Sequence, residues 1–186
     1  LESLMRGAQP GEPELTVLSA LDAAGIDQVS AAWPSIPASN RQFILDLGTA
    51  MASESIALEF EAIALAALDD EDPVVRCCAI AALWDDASPR TAARIARVLR
   101  DDESDQVRAR AAEALGQCAL AVEFGTMEGS SAEEVLDALR GAATDTAEPV
   151  DVRAWAVESA GYRSLPWVDT LITDAYYSDD RLLHLA

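Results

Sequence analysis

One thirteen-residue pattern occurs three times in this chain, and that recurrence constrains the fold more than any other feature. The copies are Asp72-Pro-Val-Val-Arg-Cys-Cys-Ala-Ile-Ala-Ala-Leu-Trp84, Ser104-Asp-Gln-Val-Arg-Ala-Arg-Ala-Ala-Glu-Ala-Leu-Gly116 and Pro149-Val-Asp-Val-Arg-Ala-Trp-Ala-Val-Glu-Ser-Ala-Gly161. Each has Val-Arg, an Ala three residues after the Arg, and Gly or Trp eight residues after it. The spacing puts Val75, Ala79 and Leu83 on one helical stripe, and does the same for Val107, Ala111 and Leu115 and for Val152, Ala156 and Ala160. Acidic residues and Pro gather just before each copy, where helix caps and first-turn residues belong.

A second amphipathic helix precedes each copy, over roughly 54–68, 88–100 and 131–143. Its apolar side is carried by Ile63, Leu65 and Leu68 in the first, by Ile95, Val98 and Leu99 in the second, and by Val135, Leu136 and Leu139 in the third. The unit is therefore helix, acidic turn, helix. The repeated arginines are Arg76, Arg108 and Arg153, and the longer interval between the last two holds Phe124-Gly-Thr-Met-Glu-Gly-Ser-Ser131, expected as a loop inserted between units. Both ends follow the template less closely. Residues 40–51 read as a second helix with Asn40 in the place of the Arg and Gly48 in the place of Gly116. Its partner lies at 22–33 and is ended by the Pro34 and Pro37 turn. Residues 166–178 read as a first helix, and Asp179-Asp-Arg181 opens a second that stops at Leu185-Ala186 with an uncapped apolar stripe.

Composition agrees with helices packed at short range. Apolar residues make up 51% and aromatic residues 5% of the chain, and its abundant Ala combines the best helix propensity with close backbone approach. The net charge is −20, from 33 acidic residues against 13 basic ones, all of them Arg. That field repels phosphate and anionic lipid surfaces, so neither nucleic acid nor membrane is an expected partner, and a basic protein surface is the complement. Cys77, Cys78 and Cys118 follow no disulfide framework, and neighbouring Cys77 and Cys78 diverge on a helix. Reduced, buried thiols in a cytoplasmic chain are the expectation. No membrane-length apolar run or signal-peptide pattern is present, and a start at Leu1 rather than Met points to a segment of a longer chain.

The three units resemble HEAT repeats, most closely the bacterial HEAT-like kind labelled phycobilisome-lyase-like, well over residues 54–186 and poorly before. The resemblance implies an all-α fold, a right-handed α–α superhelix of about four hairpins and part of a fifth. It would form one domain over 1–186, with a divergent hairpin at 1–53 and an insertion at 124–131. It also implies that the repeated Arg pairs with acids of the inter-helix turns in a ladder: Arg76 with Asp70 or Asp72, Arg108 with Asp101 or Asp102, and Arg153 with Asp145. Gly116 and Gly161 would relieve crowding near helix ends, where Trp84 stands in the first copy as a candidate contact.

With the repeated stripe inward, the opposite face of each second helix faces a groove. It presents Arg110, Glu113 and Gln117 on one helix, Trp155, Glu158 and Tyr162 on the next, and Cys78, Ala81 and Asp85 on the one before. Trp155 and Tyr162, exposed beside charges, have the composition of interface anchors. The acid clusters at 69–72 and 101–103 lack the ligand spacing and turning Gly of a calcium loop. His184 is the only histidine, which rules out a multi-His metal site or a supported Ser-His-Asp triad within one chain. The expected function is a protein- or peptide-binding scaffold without catalysis or cofactor. The alternatives are a bilin lyase or lyase subunit, as the resemblance allows, and a structural or regulatory segment of a longer protein. The C-terminal edge offers a surface for a homodimer.

Overall fold

A computed structural model describes residues 5–7, 9–19, 21–54 and 60–185. Among them are eleven α-helices and no strand. The helices belong to two compact units, Leu1–Leu83 and Trp84–Ala186.

In the first unit the helices are α1 (Glu12–Leu18), α2 (Ala23–Ala32), α3 (Ala38–Glu54), α4 (Glu61–Ala67) and α5 (Pro73–Ala82). Helix α2 starts where Asp22 accepts the Gly25 N–H at 2.8 Å, and a 3₁₀ turn at Trp33–Ser35 carrying Pro34 follows it. Asp72 caps α5 by accepting the Val74 N–H at 2.8 Å, with Pro73 in the first turn, where the missing N–H costs nothing. The helix expected over 54–68 begins at Glu61, and residues 55–59 lie outside the described residues. Ile44, Ile63, Ala64, Val75, Ala79 and Ile80 form the core. Gly48 leaves room for the Phe60 ring, whose Cδ1 would lie 3.0 Å from a Cβ there.

The second unit holds α6 (Pro89–Asp101), α7 (Asp105–Glu123), α8 (Gly129–Thr144), α9 (Val150–Ala160), α10 (Pro166–Tyr176) and α11 (Arg181–Leu185). Ser88 caps α6 by accepting the Thr91 N–H at 3.2 Å, while Asp86 accepts the Ser88 N–H at 2.8 Å and the hydroxyl of the fully buried Thr91. Every residue of the two repeated stripes here is completely buried: Val107, Ala111 and Leu115 on α7, and Val152, Ala156 and Ala160 on α9. Helix α7 packs on α6, α8 and α9. The expected insertion at 124–131 is smaller than the sequence implied. Most of the added length extends α7 to 19 residues, against 10 in α5, and α8 begins at Gly129. Gly125 (φ 70°) and Gly129 (φ 68°) make the remaining turn in a backbone region that side chains with a Cβ avoid.

The repeated arginines are each the fourth residue of their helix, and this register brings in Arg41 of α3 in place of Asn40. Their partners differ from the expected ladder. Arg76 Nη1 donates to the main-chain carbonyl of Asp70 at 2.8 Å, while the Asp70 carboxylate turns elsewhere. It accepts the Trp33 indole N–H at 2.6 Å, lies 3.3 Å from Arg41 Nη1, and accepts the Asp72 N–H at 2.8 Å. Arg41 also reaches Glu71 at 3.2 Å. Arg108 likewise takes the carbonyl of Asp102 at 2.8 Å rather than a carboxylate of Asp101 or Asp102; its ion pairs are with Asp105 at 2.7 Å and Glu148 at 3.0 Å. The reason is geometric: each turn aspartate folds its carboxylate onto an N–H two residues on, Ser104 in the case of Asp102, so the carbonyl faces the guanidinium.

Glu148 comes from the turn between α8 and α9, so Arg108 ties one hairpin of this unit to the next. Burial alone would lower the Arg108 pKa, but hydrogen bonding and charge from Glu148 and then Asp105 raise it above the usual value, so the guanidinium stays charged. Arg108→Ala is expected to destabilise the chain by about 1–3 kcal/mol, the range for losing charged hydrogen bonds, measured by urea denaturation. A shift within experimental error would remove the tie as a structural element.

Candidate functional site

Helices α7 and α9 of the second unit build the candidate face. Ser159 Oγ of α9 donates to the Ala112 carbonyl of α7 at 2.8 Å, and Gly116 permits the close approach. A Cβ at Gly116 would lie 3.0 Å from Ser159 Oγ and 3.1 Å from Tyr162 Cε2. Gly161, by contrast, is exposed at the end of α9 and relieves no contact with another helix.

Arg110, Glu113 and Gln117 lie on α7, and Trp155 and Glu158 on α9. Arg110 and Glu113 form an ion pair on α7, and the Arg110 guanidinium carbon sits 5.8 Å from the centre of the Trp84 ring, a cation–π arrangement. Gln117 lies further along α7 and is half-buried. On the α9 side Glu158 is exposed, and Tyr162, just past the helix end, is 45% exposed with its ring edge against Gly116. Trp155, expected to be exposed, is half-buried. At the far end Arg163 pairs with Glu123 at 2.7 Å. The candidate residues thus comprise three aromatic rings, two acids and a paired arginine, with Trp155 on α9 and Trp84 and Tyr162 in turns that flank helices. Cys78 and Ala81 lie on α5 in the first unit and are half-buried.

Burial pushes the Cys118 thiol up to about 11, with a smaller push from the charge of Asp86. Cys78 is also raised to about 11, by burial first and then by the charge and hydrogen bond of Asp46. Both are protonated at neutral pH and poor nucleophiles. Among the described residues no group of three or more His, Cys, Asp and Glu is placed to hold a metal ion. His184 Nδ1 lies 2.6 Å from the Tyr176 carbonyl oxygen, and its ring stacks beside Tyr176. No helix among the described residues is long and apolar enough to cross a membrane.

Trp33, Arg41, Glu71 and Glu148 make buried or inter-hairpin contacts that the repeat pattern did not single out. Arg41 had a usable signal: counted from its helix start, it holds the position of the other repeated arginines. Glu148 had none, because its contact depends on the path of a turn.

The sequence profile described as HEAT repeats matches residues 61–161. A solved structure described as the complex of CpcE and CpcF of phycocyanin lyase from Nostoc sp. PCC7120 contains a chain of similar fold. The TM-score is 0.61 at 17% identity, covering 88% of this chain and 96% of that one. No curated protein matches the sequence.

Proposed function

We propose, on the premise that the chain belongs to the HEAT-repeat family, that it is a non-catalytic scaffold binding another protein through the α7–α9 face. The observation that carries this reading is the close packing of α7, whose Arg110 and Glu113 pair beside the Trp84 ring, against α9, which bears Trp155 and Glu158 and is followed by Tyr162 lying against Gly116. Partly buried aromatics lose little side-chain entropy on binding and supply most of the energy at interfaces, while surrounding charges set orientation and specificity. The net charge of −20 favours a partner segment rich in Lys or Arg, because complementary fields speed encounter and exclude acidic competitors. That the CpcE and CpcF chains form a complex is in keeping with a partner-binding role.

The test is a double substitution, Trp155→Ala with Tyr162→Ala, compared with the unaltered chain in capture from the source cell and in direct titration of the captured partner. A loss of at least about tenfold in affinity is expected for two aromatic anchors, with the helical circular dichroism retained. Unchanged affinity in the folded variant would move the binding face elsewhere. The second reading, a subunit of a bilin lyase, has the phycocyanin lyase fold likeness behind it. It requires a visible absorbance change when the chain meets a bilin, and no change removes it.

A further inference from the structure

Arg153 is the exception among the repeated arginines. Arg76 and Arg108 each donate to the carbonyl of an aspartate six residues earlier, Asp70 and Asp102, both at 2.8 Å. Those aspartates open the inter-helix turn by accepting an N–H two residues on, and Asp145 does the same with the Ala147 N–H at 2.8 Å. Arg153, however, lies eight residues after Asp145. The two additional residues displace the carbonyl that the other copies use. Arg153 Nε is buried without a hydrogen-bond partner, and among the described residues its guanidinium enters no ion pair. Arg41 and Arg163 also have an unbonded Nε, but each is paired through another nitrogen, at 3.2 and 2.7 Å.

The arginine lines a cavity of about 340 Å³ where α9 meets α10 and α11, at the small end of the roughly 300–1,000 Å³ typical of ligand pockets. Val157, Leu171 and Leu183 give it apolar walls, and Thr146, Asp174 and Ser178 add polar groups. Asp174 comes from α10 and forms no ion pair with Arg153 within the described residues. The cavity therefore has a cationic group from one helix and an anionic group from another, not joined to each other.

That pairing selects the ligand chemistry. A simple carboxylate would satisfy Arg153 but meet Asp174 and the net charge of −20. A simple amine would meet Arg153. A molecule that brings both charges together pairs with both groups and is neutral to the long-range field. We propose that this cavity binds a free α-amino acid with an apolar side chain. Its carboxylate lies on Arg153, its ammonium on Asp174 and its side chain against Val157, Leu171 and Leu183. The site is separate from the α7–α9 face and does not depend on the scaffold reading.

Isothermal titration of the 186-residue chain with L-leucine tests it, alongside 4-methylpentanoate, which lacks the ammonium, and isopentylamine, which lacks the carboxylate. Leucine is expected to bind and to raise the melting temperature, and both truncated analogues to bind at least about tenfold more weakly, since each loses a charged contact. Arg153→Gln and Asp174→Asn are expected to weaken leucine by a similar factor. Asp174 is exposed, so its variant keeps the test available should Arg153→Gln fail to fold. Absence of leucine binding at millimolar concentration, equal binding of 4-methylpentanoate, or unchanged leucine affinity in the folded Asp174→Asn chain would each overturn the proposal.

Discussion

Asp70→Ala is expected to destabilise the chain by about 3–5 kcal/mol, the effect of removing one partner from a buried ion pair. The Asp70 side chain is fully inaccessible, and that of Arg41 is 4% exposed. The carboxylate accepts from Trp33 Nε1 at 2.6 Å and from the Asp72 N–H at 2.8 Å, besides its pairing with Arg41. Ala leaves an indole N–H, a turn amide and most of a guanidinium charge without an acceptor. Glu71 compensates poorly, because its side chain is 78% exposed and its pairing with Arg41 is largely screened by water. Urea denaturation followed by circular dichroism measures the loss. Adding Arg41→Met to Asp70→Ala is expected to recover part of it, since the unpaired charge is then gone. A single-variant loss under about 1 kcal/mol, as for an exposed pair, would show that the network is not structural.

Leu115→Ala is the second large effect, at about 2–5 kcal/mol. Leu115 has no exposed surface and sits on α7, which packs against α6, α8 and α9. Removing the isobutyl group forfeits its transfer energy and leaves a hole that rigid helices on three sides cannot close. Leu115→Met keeps the volume and is expected to cost less than about 1.5 kcal/mol. Denaturation midpoints of the two variants separate cavity formation from a general intolerance of substitution. If Met and Ala cost the same, the site is not the close-packed centre described.

These two residues mark the division between what could be read in advance and what could not. Leu115 belongs to a stripe with helical spacing that recurs in register. Spacing of that kind requires burial wherever the helix packs, so its position was legible from the letters alone. Asp70 stood among four consecutive acidic residues, and nothing local distinguishes the one whose carboxylate turns inward. Its role depends on Trp33 being delivered by a helix end 37 residues earlier. Arg41 was hidden by an alignment on Gly48, although the helix start shows the correct register.

The candidate face divides in the same way. That Arg110, Glu113, Gln117, Trp155 and Glu158 lie away from the buried stripes follows from helical periodicity, while Tyr162 lies past the end of α9. How far each ring is covered does not follow from periodicity. Tyr162 is drawn against Gly116 by the close contact of α7 and α9, and Trp155 is half-buried.

The sequence by itself determined the all-α repeat fold, the inward stripes and the Asp72 cap, whereas Ser104 and Pro149 precede their helices without a side-chain cap. Fold, stripes and cap each rest on residue spacing or on a side chain's own neighbouring backbone, which are local properties of the chain. Tertiary structure alone decided which charges pair. It brought Trp33 and Arg41 to Asp70 and Glu148 to Arg108, and left Arg153 facing a cavity. A shift of one or two residues in a turn moves a charged group by several ångströms, more than the reach of a hydrogen bond.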